Sequence, residues 1–277
     1  MIREHPGPVK QIAMPADAFV NAYWEIPIRT IRPDGVLVNF FVSVNRYLMN
    51  VMPTDLSLNA ERVRTQQRVV RHIMNQANMH HYRTPSPHLV QRVRVGKGLP
   101  SDIVSVLTAG VHSGTLPGTM EGLQLWVDHN IGVDCTGFAS AYFISTGRMA
   151  VHDATDAGCS YFYDAARRYR RDSGTNQSVA IWDVDQIQPD DVILWMYENG
   201  QESKRPGHIA VIYSVTGNML NYAESSGEND GAGHFGPHLN HNMLRGPGTH
   251  TPRYFELGSG NSKVIIVRPF SPYSFFT

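Results

Sequence analysis

The feature that most constrains this chain is a change of periodicity in its second half, where one helical run gives way to strands. Over residues 134–147 apolar side chains recur at helical spacing, with Phe138, Ala139, Tyr142 and Phe143 on one face. Gly147 is a natural stop, because glycine takes the left-handed conformation that closes many helices. Residues 191–197, 208–215, 219–224 and 263–269 read as strands. Between the last two lies a stretch rich in Gly, His and Asn, 227–260, with little periodicity, which reads as a long functional loop. The first hundred residues are mixed. Residues 35–47 are rich in Val and Phe and read as a strand, although their apolar positions do not alternate cleanly. Residues 54–77 read as a helix capped by Thr54, with Val63, Val70, Ile73, Met74 and Ala77 at helical spacing. Pro85, Pro87, Gly96, Gly98 and Pro100 cluster at a boundary. It divides the chain into an N-terminal accessory or targeting region, 1–98, and a second domain, 99–277.

Composition excludes several classes. With 277 residues, 42% hydrophobic and 17% charged, the chain is too apolar to be disordered and long enough for one large core or two small ones. Its 24 basic and 24 acidic residues cancel, so no global charge draws it to nucleic acid, membranes or acidic polymers. Cys135 and Cys159, the two cysteines, cannot build a disulfide scaffold, and neither fits a zinc pattern. Apolar runs such as 36–44 are broken by Asn39 and Ser43 and fall far short of a membrane span. The first 24 residues carry Arg3, Glu4, Lys10 and Asp17 with three prolines, which is not the pattern of a secretory signal. Synthesis in the cytoplasm is expected, without membrane insertion.

Local charge is less even. Arg62, Arg64, Arg68, Arg71, Arg83, Arg92, Arg94 and Lys97 stand against Glu61 alone between residues 60 and 98. A solvated helix face is the ordinary explanation of such a run, and a grip on an anionic polymer the alternative. Arg167, Arg168, Arg170 and Arg171 are read the same way.

Cys135 begins the helical run. A thiol there meets free backbone N–H groups and the positive end of the helix dipole, both of which favour thiolate. Most lone cysteines are small buried hydrophobes, and Cys159 is assigned that role. A thiolate nucleophile needs a base and a group to orient the base. Of 13 histidines, His208 opens a strand and would be held rigidly. If a three-residue turn, Thr216-Gly217-Asn218, joins that strand to the next, Ala210 faces Glu224 and His208 faces Ser226. Glu224 then lies diagonally beside His208 on one face. A two-residue turn would put Glu224 on the opposite face.

Three segments carry a family resemblance. Asp134-Cys135-Thr136-Gly137-Phe138 resembles the Asp-Cys-Ser-Gly-Phe signature of the NlpC-type cell-wall peptidases. Ile187-Gln188-Pro189-Asp190-Asp191 is similar to that family's leucine, x, proline, glycine, aspartate segment, and Gly207-His208-Ile209-Ala210-Val211 resembles its histidine strand. The cysteine helix first and the histidine hairpin second is the order of the wider papain-like superfamily, which includes the CHAP amidases and the amidase effectors of type VI secretion. The resemblance covers residues 120–225 and the final strand, under half the chain. It implies an α+β fold, with the helix that carries the cysteine packed on an antiparallel sheet and a mixed N-terminal region beside it.

It also implies roles. Cys135 would be the nucleophile, His208 the base and Glu224 the orienter, as in CHAP enzymes, with Ser226 in place of their asparagine. Tyr222 is the other residue that aligns with the third polar position. Asp134 would hold a substrate's free amine or cap the helix. The family's upstream oxyanion tyrosine is not evident in the sequence. The Cys135 backbone N–H is one oxyanion donor, and Gln124, His129 or Asn130 is expected to supply another. No cofactor is implied. His234, His238 and His241, with His250 further on, lack the Cys or Asp partners of a zinc site, so the expectation is no metal and a segment that lines or covers the groove. His80 and His81 receive no role.

The function expected is amide hydrolysis in peptidoglycan peptides. With no signal sequence, delivery outside or into a target cell's periplasm would need a specialised secretion or lysis route, as for an antibacterial effector or a lysin. An immunity or inhibitor protein would then be a partner. The competing readings are a papain-like toxin acting on a protein substrate as protease, deamidase or acyltransferase, and a non-catalytic binding module with a basic N-terminal half.

Overall fold

The computed structural model describes residues 14–48, 58–79, 86–151, 154, 157–162, 179–198, 202–227, 236–245, 254–258 and 262–269. Thr54, His80, His81, Arg83, Pro85, His234, His250 and the arginines at 167, 168, 170 and 171 lie outside these residues. The order of elements is α1 (Ala16–Trp24), β1 (Ile26–Ile31), β2 (Leu37–Val42), α2 (Leu58–Met79), α3 (Pro87–Arg94), α4 (Pro100–His112), α5 (Met120–Asn130) and α6 (Cys135–Ser145). Seven strands follow: β3 (Val179–Ile181), β4 (Val192–Glu198), β5 (Glu202–Thr216), β6 (Met219–Ser225), β7 (Pro237–Arg245), β8 (Phe255–Leu257) and β9 (Ser262–Arg268). The fold is α+β, and its two sheets are antiparallel.

The small sheet is the β1–β2 hairpin. The large one runs β3-β9-β4-β5-β6-β7-β8, and β8 also pairs with β9. That extra pairing closes β4 to β9 into a barrel, with β3 added along the far end of β9. The two faces of the barrel strands bury different cores. Ile193, Ala210, Ile212, Leu220, Tyr222, Leu244, Phe255, Val264 and Ile266 fill the interior. Val192, Leu194, Ile209, Val211, Ala223, Ile265 and Val267 face outward and meet the helices. Alternation along each strand sends neighbours to opposite faces, so one strand serves both cores.

Helix α6 lies against the outside of the barrel, on β5 and β6. It is buried all round rather than on one face, with every residue from Cys135 to Phe143 buried. The residues that cover it come from the other end of the chain: Phe19 meets Phe138 and Tyr142 at 5.7 and 5.6 Å, and Tyr23 meets Phe138 at 5.9 Å. The Tyr23 hydroxyl donates to the Gly98 carbonyl at 3.0 Å, and Trp24 Nε1 donates to Pro237 O at 2.8 Å. Residues on both sides of position 98 therefore share one core. Each such fully buried aromatic contributes about 1.5–3 kcal/mol through burial.

Several local expectations need correction. The stretch 227–260 is not one loop, because β7 and β8 lie within it. Arg92 and Lys97 are not on a solvated face: both are buried, Arg92 in a two-pronged pair with Asp102 (2.7 and 2.9 Å) and Lys97 against Asp134. Arg68 and Arg71 are exposed, as the solvated-face reading has it. Among the described residues no helix is long and apolar enough to cross a membrane.

Candidate active site

Cys135 is the first residue of α6 and is buried. Its position is fixed by the segment that leads into it. Val133 N donates to Arg46 O and Val133 O accepts from Leu48 N, while Asp134 N donates to Gly96 O at 2.9 Å. The Ser225 hydroxyl, at the end of β6, donates to Val133 O at 2.7 Å. Glycine at 137 is required by this packing, since a Cβ there would stand 2.2 Å from the Gly96 carbonyl oxygen.

Asp134 caps α6, accepting from the Gly137 N–H and from the Thr136 hydroxyl. Its carboxylate also pairs with Lys97 Nζ at 3.1 Å, and Lys97 donates further to Thr136 Oγ1 and to Ala157 O at 2.6 Å. Of its two expected roles the geometry shows the cap. Burial raises the Asp134 pKa to about 6 although Lys97 opposes the rise. The carboxylate is thus committed inside the protein.

His208 sits on β5 inside the rim of the barrel, its ring 5.0 Å from that of Trp195 on β4. Its Nε2 bonds Glu224 Oε2 at 2.5 Å. Cys135 is the strongest influence raising the His208 pKa, which puts the thiol close to the imidazole. The join that sets this register differs from expectation. The β5–β6 turn has two residues, Gly217 and Asn218, with Gly217 at φ +57°, as the mirror-image hairpin turns require. The pairing starts as Thr216↔Met219 and Val215↔Leu220, which alone would send Glu224 to the wrong face. A bulge at Tyr213 adds one residue to β5, and beyond it Ile212 pairs with Tyr222 and Val211 with Ala223. Glu224 returns to the His208 face.

The electrostatics are those of a coupled pair. The hydrogen bond from Cys159, the charge and hydrogen bond of His208 and the charge of Lys97 outweigh burial and hold the Cys135 thiol well below its ordinary range. Burial pulls His208 down, but Cys135 and then Glu224 raise it to about 10. Burial opposes the charge on Glu224 too, yet His208, His238 and Asn240 bring its pKa to about 2. Each group thus favours the charge of its neighbour, thiolate beside imidazolium beside carboxylate.

Two residues, Tyr47 and Cys159, have no site role in the sequence reading, while His238 and Asn240 come from the stretch expected to line or cover the groove. The Tyr47 hydroxyl points at Cys135 Sγ from 3.9 Å, on a segment bridged to Val133. Cys159, expected only to fill the core, has its sulfur 4.0 Å from that of Cys135. His238 and Asn240 on β7 reach Glu224 Oε1 at 3.4 and 3.0 Å.

Other expected residues have different occupations. Gln124 is bound by its amide to the Ser43 backbone at both ends (2.7 and 3.0 Å) and to Asp128, so it clamps α5 to the β2 end. His129 is exposed and its Nδ1 meets Leu125 O, one turn back, while Asn130 Nδ2 donates to Trp126 O. Tyr222 is buried in the barrel interior, its hydroxyl accepting from Asn242 at 3.2 Å. Ser226 follows β6 and is partly exposed. His238 and His241 point to opposite faces of β7, which removes the zinc arrangement, and no three potential ligands cluster among the described residues. No protein-family model matches the chain, and no curated protein is significantly similar to it.

Proposed function

We propose that this protein is a papain-like cysteine hydrolase that cuts amide bonds in peptidoglycan peptides. The observation that carries the proposal is the His208–Glu224 bond on the barrel strands beside Cys135 at a helix N-terminus, with thiol and imidazole each favouring the other's charged form. The Cys135 thiolate attacks the amide carbon. The oxyanion forms beside the Cys135 N–H and the Tyr47 hydroxyl, which are the donors at hand. His208 imidazolium gives its proton to the leaving amine, and a thioester remains. Water, deprotonated by His208, then releases the acid and restores the thiolate. In this reading the protein is made in the cytoplasm and reaches the wall by a specialised secretion or lysis route, as an effector or lysin held in check by an inhibitor protein.

The test is digestion of muropeptides by wild type, Cys135→Ala and His208→Ala, with products weighed by mass spectrometry. Wild-type product alone supports the proposal, and the fragment masses separate amidase from endopeptidase. Equal product from all three proteins overturns the mechanism. Absence of product from wild type, with Cys135 still alkylating rapidly at pH 7, retains the thiolate chemistry and transfers the substrate to the protein class.

A further inference from the structure

We propose that His238 is a positioning residue of this site, held as an imidazolium that pairs with Glu224 from the side away from His208. The inference rests on the reading of Cys135, His208 and Glu224 as the reacting group. It follows from what each nitrogen of the ring faces. Nδ1 lies 2.9 Å from the Gly236 carbonyl oxygen, which can only accept, so Nδ1 carries a hydrogen. Nε2 lies 3.4 Å from Glu224 Oε1. A neutral ring protonated at Nδ1 would turn a lone pair toward that carboxylate, which is repulsive. Protonation of Nε2 removes the repulsion and makes the contact an ion pair. Glu224 is 4% exposed and carries its charge, so the cation is the state that its surroundings favour.

Glu224 from β6 and, beyond it, His208 from β5 are charged groups facing His238, while Asn240 on its own strand is neutral. Burial and His208 oppose the charge on His238, and Glu224 and the Gly236 carbonyl outweigh them. Thiolate, imidazolium, carboxylate and imidazolium then alternate along the line and sum to zero, a state that a half-buried site tolerates far better than a net charge. The second cation shares the Glu224 carboxylate. It weakens the hold of Glu224 on the His208 proton, which must leave for the amine during catalysis. It also fixes the carboxylate plane, with Asn240 on the same oxygen.

The experiment is a pH titration of the full chain labelled with nitrogen-15 in its histidines, assigned through backbone correlations. Both His238 ring nitrogens protonated at pH 7 supports the proposal. A neutral His238 at that pH, with a midpoint at or below the ordinary value of about 6.5, overturns it. Two variants give independent readouts. His238→Gln should move the His208 midpoint, and the alkaline limb of any hydrolytic activity, upward, whereas a merely structural residue would leave both unmoved. Glu224→Gln should lower the His238 midpoint; an unchanged midpoint overturns the pairing. Reaction of Cys135 with iodoacetamide separates the two readings. A reactive Cys135 beside a neutral His238 sinks this inference alone, and an inert Cys135 beside a protonated His238 sinks the catalytic reading while leaving the ion pair.

Discussion

Lys97→Met tests whether the charge behind the nucleophile is balanced internally. Lys97 and Asp134 are 5% and 4% exposed, and the ammonium touches the carboxylate, a hydroxyl and a carbonyl. Methionine replaces the aliphatic stem of the side chain and removes the charged end, leaving a buried carboxylate without its cation. Breaking a buried pair from one side costs about 3–5 kcal/mol, because the remaining charge has neither water nor partner. The cost depends on pH in a definite direction. Asp134 has a folded-state pKa of about 6 even with Lys97 present, above its ordinary value of 3.8, so the folded state already binds the extra proton below that pH. Without Lys97 the pKa rises further. The destabilisation should therefore be full only above the raised pKa of the variant and shrink as pH falls from there to about 6, below which Asp134 is neutral in both proteins and needs no cation. Urea denaturation of wild type and variant at pH 5 and pH 7.5, followed by circular dichroism, reads this directly. A loss below about 1 kcal/mol at pH 7.5, or one that is the same at both pH values, would refute the assignment of Lys97 as the counter-charge. It would also leave Asp134 available to hold a substrate amine.

Other perturbations have equally definite outcomes. Gly137→Ala forces a Cβ against the Gly96 carbonyl oxygen and should cost at least the 1–3 kcal/mol typical of overpacking, read as a fall in Tm. Glu224 has its pKa lowered from 4.5 to about 2, so it contributes about 3 kcal/mol of stability that is present above pH 4.5 and lost as pH falls through 2; Glu224→Gln should flatten the acid limb of a stability–pH profile. The same variant should reduce turnover by about 10²–10⁴-fold, because the amide cannot stabilise the imidazolium. Cys159→Ala removes the thiol that donates to Cys135, and should shift the pH midpoint of Cys135 alkylation upward, with Cys159→Ser restoring part of the shift.

What was legible in the sequence was whatever followed ordinary periodicity or sat beside a helix start. The helix at 134–147 and the strands around His208 and Glu224 fell within two residues of their expected ends, except that β5 begins earlier, at Glu202. Strand β7 was illegible because it inverts the usual rule. Its inward side chains are His238, Asn240 and Asn242, with only Leu244 apolar at the far end, and its outward ones include Leu239 and Met243, which are exposed. A pattern search that expects apolar residues inside finds a loop there. Tyr47 was illegible for another reason: it lies 88 residues before Cys135, in a stretch without regular structure, and only the pairing with Val133 brings it to the thiol. The shared aromatic core of α1 and α6 likewise depends on contacts more than a hundred residues apart, which no local signal encodes.

The hairpin that carries His208 and Glu224 shows why a correct pairing of residues can rest on an incorrect local premise. Turn length sets register only while the ladder above it stays regular. Here the turn has the wrong parity for the pair and the bulge at Tyr213 corrects it, so the two irregularities cancel over the three residues between them. The bulge also changes which β5 side chains enter the barrel. Val215 packs inward near the turn, whereas His208, Ala210 and Ile212 do so beyond it. A regular strand could present inward side chains at one end or His208 at the other, but not both from this two-residue turn. The requirement of the barrel for an apolar filling and of the site for an inward histidine are thus reconciled by one inserted residue, and the irregularity lies between the two demands it satisfies.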